Sequence, residues 1–182
     1  MPKKMVINEH NKQIKKNESI DIITAAIKIK KENFLFKAFL EKEIYRVVEI
    51  NGQSSLYDLA QLLIKSFGFD FDHAFGFFGI PDEHDKQYYD SGESYELFAD
   101  LDNAQETMKM LERCPKSVKK TKIADVFTST KKQLIFLFDY GQEWEFLVNC
   151  IDIQDTQKAK KSSGRIIRAM SKGKAPEQYA QC

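Results

Sequence analysis

With 28 basic and 27 acidic side chains in 182 residues, the chain has no overall field that would draw it to nucleic acid or an anionic membrane, so any such binding is local. Hydrophobic residues at 42% and aromatic ones at 12%, with 14 Phe, exclude disorder of the whole chain, and this length can bury roughly 70% of the unfolded surface. Cys114, Cys150 and Cys182 are widely spaced and form no Cys-x-x-Cys pair, and there is neither a secretory leader nor a run of about 18 apolar residues; a reducing cytoplasm is expected, with no membrane partner.

Residues 1–20 are lysine-rich and polar and read as a flexible arm, because they carry too little apolar surface to offset the entropy of ordering. Residues 21–182 read as one domain. IITAAIKIK reads equally as a short helix or a strand. NFLFKAFL is an aromatic-rich strand, Glu41, Lys42 and Glu43 make a polar turn, and IYRVVEI alternates Ile44, Arg46, Val48 and Ile50 against Tyr45, Val47 and Glu49 as a second strand. The two are close enough to pair as a hairpin, which Asn51 and Gly52 end.

Ser55 is placed to cap a helix, with Asp58 at the capping-box position, and Leu56, Leu59, Ala60, Leu63, Ile64 and Phe67 recur on one face before Gly68 stops it. HAFGFFGI is a strand weakened by Gly76, PDEHDKQYYDSGES a loop, and YELF a short strand. LDNAQETMKMLERC spaces Leu101, Ala104, Met108 and Leu111 for a second amphipathic helix ended before Pro115. KSVKKTK is a basic connector, and TKIADVF adds a helical turn. QLIFLF and WEFLVNCI are successive strands. The first is apolar on both faces, as in the middle of a covered sheet.

The turn between those strands, FDYGQEWEF, holds the only tryptophan. Gly141 is expected to supply a positive φ there, and Asp139 to accept hydrogen bonds from the turn's own amides. Trp144, Phe146, Val148 and Cys150 alternate onto one face. On this reading Asp139→Asn lowers stability by about 1 kcal/mol and removes no activity. The competing reading pairs Asp139 with Glu143 as acid-base carboxylates, with His73 as a further candidate, and loses activity in the same variant.

Other motifs are weaker. His73 beside Asp72 is a ligand or base type, but a lone histidine at a strand entrance is more often structural. Asp82, Glu83, His84 and Asp85 match neither a calcium loop nor a zinc pair and read as a solvated acidic loop; no metal site and no cofactor are expected. Glycine-rich phosphate loops and Gly-x-Ser-x-Gly are absent from the sequence. Cys150 lies in an apolar strand and is expected to be protonated and inert. Lys116, Lys119, Lys120 and Lys122 form one basic cluster, and Lys158, Lys160, Lys161, Arg165, Arg168, Lys172 and Lys174 a second; on a common face they would bind nucleic acid, and otherwise they keep the surface solvated.

LIFLFDYGQEWEFLV resembles the signature of the plasmid pRiA4b ORF-3-like family, in which Asp139, Tyr140, Gly141 and Trp144 take the motif positions. IYRVVEINGQSSLYDLAQLLIKSFGFDFDHAFGFF resembles the same family's strand, helix and strand block, and GRIIRAMSKGKAPEQY its closing segment. The three blocks come in order over about residues 34–180. Gln142 stands where the family commonly has Asp, Phe146 where many members have His, and Ala60 where His is frequent, so any polar motif site is thinned to Asp139, Glu143 and His73. The resemblance implies plasmid, mobile-element or chromosomal contexts and no defined activity. The expected architecture is α+β, a mixed or antiparallel sheet with packed helices, with a β-grasp-like ββαβ core and a C-terminal hairpin. The function expected first is a non-catalytic interaction module with a protein partner; nucleic-acid binding comes second, and a carboxylate or metal-assisted enzyme third.

Overall fold

The structure, a computed structural model, describes residues 32–81, 88–102, 104, 106, 109, 114–155 and 164–179. The polar arm, IITAAIKIK, the acidic loop at 82–85, Met108, Leu111, Lys158, Lys160, Lys161 and Cys182 lie outside them. The chain forms β1 (Glu32–Glu41), β2 (Ile44–Asn51), α1 (Leu56–Phe67), β3 (Phe75–Phe78), β4 (Ser94–Glu96), β5 (Lys116–Ser117), the short α2 (Ile123–Val126), β6 (Gln133–Phe138), β7 (Trp144–Asp155) and β8 (Arg165–Ile166). All eight strands share one sheet, ordered β5-β4-β3-β6-β7-β1-β2-β8, antiparallel throughout except for the β4–β5 pair.

This is an α+β fold with a mixed sheet. The ββαβ order is present along the chain, and β3 pairs with β4 and β6; in a β-grasp sheet the last strand lies beside β1 and parallel to it, whereas both pairings of β1 here are antiparallel. The place beside β1 is taken by β7, which puts the C-terminal hairpin in the middle of the sheet.

The inner face is built by alternation. Phe34, Phe36 and Ala38 of β1, Val48 and Ile50 of β2, Phe75 and Phe77 of β3, Leu134, Phe136 and Phe138 of β6, and Phe146, Val148 and Cys150 of β7 share one core with the apolar face of α1. Phe136 stacks on Phe77 at 4.6 Å and on Phe146 at 5.6 Å. Burying each such ring contributes roughly 1.5–3 kcal/mol. Helix α1 begins with the complete capping box: Ser55 Oγ accepts from the Asp58 N–H, and Asp58 Oδ2 accepts from the Ser55 N–H at 2.8 Å. It ends on Gly68 in the left-handed region, at φ 83°.

The basic connector contains a strand that periodicity cannot show, because β5 is only two residues long. It pairs parallel to β4, and Val118 beyond it is fully buried. The carbonyls of Val118 and Thr121 accept from the N–H groups of Tyr57 and Leu56, fastening this segment to the start of α1. Leu101, expected on the apolar face of the second helix, is 45% exposed. Both sheet edges are two-residue strands carrying a basic side chain, a pattern that discourages edge-to-edge pairing.

Residues 164–179 form a strap along the β2 edge. Strand β8 pairs with β2, a backbone bridge joins Tyr45 and Lys172, and Ser171 Oγ accepts from the Val47 N–H at 3.1 Å. Gly173, at φ 78°, passes so close to Glu43 that a Cβ would sit 2.6 Å from the Glu43 carbonyl oxygen. Among the described residues no helix is long and apolar enough to cross a membrane.

Candidate functional site

The corner joining β6 to β7 spans residues 139–143, and its positive φ angles belong to Asp139, at 58°, and Glu143, at 53°; Gly141, expected to supply one, does not. An aspartate tolerates this region because its short carboxylate bonds locally. Here Asp139 Oδ1 accepts from the N–H groups of Gly141 at 3.0 Å and Gln142 at 3.3 Å, while its carbonyl accepts from those of Gln142 and Glu143. A Cβ at Gly141 would lie 3.3 Å from the same Oδ1, a tight contact that the hydrogen-bonded carboxylate would have to relieve by shifting a few tenths of an ångström.

Asp139 is only 5% exposed, and the strand pairing sets it beside the segment entering β3, where its N–H donates to the Ala74 carbonyl. That juxtaposition brings Asp139 Oδ2 to 3.7 Å from His73 Nε2, an ion-pair distance longer than a hydrogen bond. On its other side, His73 Nδ1 lies 2.8 Å from Asp72 Oδ1 and 2.9 Å from the Tyr179 hydroxyl. Tyr179 also donates toward Asp72, at 2.9 Å from its nearer oxygen. Gln178 completes the cluster: its Oε1 accepts from the Asp70 N–H at 2.6 Å and its Nε2 donates to the Asp70 carbonyl at 3.0 Å. The end of the strap is thus fastened to the start of β3.

The charges follow from these contacts. The hydrogen bond to Asp72 raises the His73 pKa above its ordinary 6.5; partial desolvation opposes it, and the fields of Asp139 and then Asp72 add to the rise. The same hydrogen bond, aided by Tyr179, holds Asp72 below its ordinary 3.8. Partial desolvation and then the Asp72 carboxylate push the Tyr179 phenol up to about 12.

Glu143 sits at the same corner, but its side chain is exposed and makes no hydrogen bond among the described residues; its N–H closes the turn on the Asp139 carbonyl at 2.7 Å. Tyr140 leaves the corner on the other side, donating to Glu96 Oε2 at 2.8 Å and packing on Phe98. Trp144 packs edge-on against Phe69, with ring centres 4.9 Å apart. Phe146 and Ala60 are fully buried in the aromatic core. Among the described residues no group of three His, Cys, Asp or Glu side chains is placed to hold a metal ion. Desolvation raises the Cys150 thiol to about 11, as its place in an apolar strand implies.

The described members of the two basic clusters do not come together on one edge. Lys119 and Lys120 follow β5, whereas Arg165 begins β8 and Arg168 follows it, and six strands separate the two edges, a distance of roughly 34 Å at the usual strand spacing. Arg165 is engaged by Glu49, its Nε donating to Oε2 at 3.0 Å, and the buried Glu49 also accepts from Asn33 Nδ2 at 2.8 Å. Lys119 and Lys120 are exposed, and their backbone N–H groups are held by Asp100 and Ser117.

A β6–β7 corner capped by Asp139, a capped helix on the inner face of the sheet, and a closing strap fastened to His73 together define an α+β domain organised around three sequence blocks distant from one another. Residues 37–179 match the family described as plasmid pRiA4b ORF-3-like protein, and the chain belongs to that family. In a solved structure, a protein of unknown function, MM3350, from Methanosarcina mazei Go1 has the same fold, with a TM-score of 0.54 at 16% identity over 72% of this chain. The match spans 66% of that protein, slightly less than two thirds of its length. No curated protein matches the chain.

Proposed function

We propose that this protein is a non-catalytic interaction module that docks a protein partner on the outer face of its sheet. The carrying observation is one cross-strand row. Tyr45 pairs with Phe39, Phe39 with Leu147, Leu147 with Ile135 and Ile135 with Phe78, so five strands align five apolar side chains on the face away from α1. The rings of Tyr88 and Tyr89 cover Phe78, the other four are partly exposed, and the Lys37 ammonium lies over the rings of Phe39 and Tyr45. Phe39, Leu147 and Ile135 border a shallow concavity of about 490 Å³ with Leu40 and Asn149, rimmed by the charged Glu41, Lys42 and Glu145, and Ile151, further along β7, is 37% exposed. Aligned, partly exposed apolar side chains rimmed by polar and charged ones mark interaction sites.

The polar corner supports the same reading. Both ring nitrogens of His73 face carboxylates, and Asp139 Oδ1 is occupied by backbone amides. Those groups fasten the chain to itself.

Affinity capture from the source cell's extract tests this with wild-type bait, a Leu147→Glu bait and a Lys119→Gln/Lys120→Gln bait, each checked for an unchanged melting curve. The expected result is one protein recovered stoichiometrically by the first and third baits and lost by the second, with the pair then reconstituted from purified components. A partner held equally by all three baits, or no reconstituted pair, overturns the proposal.

A further inference from the structure

We propose a second site on the opposite face: a phosphate-ester site built around Arg46. Arg46 lies on the inner face of β2 beside the end of α1. Its Nε donates to the Ser66 carbonyl at 2.9 Å, and its Nη1 donates to the carbonyls of Tyr45 at 2.9 Å and Lys172 at 2.8 Å. The guanidinium also lies over the Phe67 ring, 4.8 Å from its centre. Three carbonyls and a ring thus fix the plane of the fork, and Nη2 has no partner among the described residues.

Around it lies a concavity of about 390 Å³ whose lining includes Lys65 of α1 and Arg168 and Lys172 of the strap, and no carboxylate. Lys172 is paired with Glu43. Arg46, Lys65 and Arg168 have no acidic partner among the described residues. The exposed carbonyl end of α1 would oppose an anion here, but the carbonyl of Ser66 is already occupied by Arg46. Arg46 is partly buried, and that partial desolvation disfavours its charged form. The two remaining N–H groups, both on Nη2, are held in a fixed plane and flanked by the cations of Lys65 and Arg168, and can donate to the oxygens of a phosphate.

The concavity continues into a second one of about 560 Å³ that shares Arg46, Phe67 and Gly68. Phe69, Pro176 and Tyr179 line that second part, with Lys174, Asp70 and Glu177 also around it. The arrangement fits a phosphate whose organic body is flat and apolar enough to lie against rings, as in a nucleotide, free or within a nucleic acid. This site does not depend on the outer-face reading, and its residues lie apart from Leu147.

Calorimetric titration of the full chain at low salt tests it, with inorganic phosphate, adenosine 5′-monophosphate, adenosine and a single-stranded hexanucleotide as probes. The monophosphate is expected to bind more tightly than inorganic phosphate, and adenosine not at all. Arg46→Gln should weaken the monophosphate about tenfold or more, as the loss of a charged hydrogen bond does. Because Arg46 also ties β2 to the strap, Lys65→Gln/Arg168→Gln serves as the second variant; both of its side chains are free, and it should weaken binding with an unchanged melting curve. A hexanucleotide that binds more tightly than the monophosphate, with the same dependence on the variants, identifies nucleic acid as the source; the reverse order identifies a free nucleotide. No binding by the monophosphate or the hexanucleotide, or binding that Lys65→Gln/Arg168→Gln leaves unchanged, overturns the proposal.

Discussion

The inner face of the sheet and the strap that closes its edge are held by different physics. Under α1, Phe75, Phe77, Phe136, Phe138 and Phe146 are wholly buried, and the Phe136 ring packs on the other four, so that region is stabilised by dispersion and by excluding water, neither of which responds to pH. The strap instead depends on backbone bridges and on polar side chains that are largely exposed, among them Tyr179, Gln178 and Lys172. Such contacts are individually weak and sensitive to ionisation. The difference separates a rigid frame from a closure that solution conditions adjust.

The frame should show the largest effect. Phe136→Ala removes a ring at the junction of β3, β6 and β7 and is expected to cost about 3–5 kcal/mol in urea unfolding. A loss below about 1 kcal/mol would mean that the aromatic cluster repacks freely and is not a rigid frame.

The corner lies between the two regimes. Asp139→Ala removes both amide hydrogen bonds and places an alanine at a φ of 58°, for an expected loss of about 2–3 kcal/mol. Asp139→Asn keeps an oxygen to accept from the Gly141 and Gln142 N–H groups and tolerates the left-handed region, so it should cost less than about 1 kcal/mol. The sequence alone placed about 1 kcal/mol on Asp139→Asn; the geometry moves most of the loss to Asp139→Ala. Equal losses in the two variants would show that the carboxylate's charge, and not its capping geometry, holds the corner. Ser55→Ala removes one half of the capping box on α1 and should cost about 1 kcal/mol in the same experiment.

These two caps also show what the sequence makes legible. Ser55, Asp58 and Gly68 act within a few residues of themselves, and the apolar face of α1 repeats with the helix period, so the helix, its start and its stop can be read directly. The inner-face strands are legible for the same reason, since alternation is local. The site is less so. Tyr179 and His73 are 106 residues apart, and nothing near either one specifies the other. Arg46 reads as one member of an alternating strand, and its role depends on where the strap crosses it. Two-residue strands such as β5 and β8 are too short for any period, and the place of β7 beside β1 is a long-range choice that local pattern does not encode.

The smallest effect, and the one that belongs to the strap alone, is its pH response. His73 has a raised pKa in the folded protein, so its contribution is complete below the ordinary 6.5 and is lost as pH rises through the higher folded value. Asp72 has a lowered one, so its contribution is present above the ordinary 3.8 and is lost as pH falls through the folded value. The fastening is therefore tightest between about pH 4 and 6.5. The groups facing His73 are Asp72, Asp139 and Tyr179, and the phenol, at about 12, does not titrate in this range. The exposed Lys172–Glu43 pair does not interfere either, because Glu43 is lowered from 4.5 and Lys172 raised from 10.5. Between pH 5.5 and 8.5 the wild-type strap should become more readily cut by a protease, with a small fall in Tm relative to His73→Gln, whose profile should lack that decline. Parallel profiles for the two proteins would show that the strap is held by its backbone bridges to β2 alone, and would remove the distinction between an adjustable closure and a rigid frame.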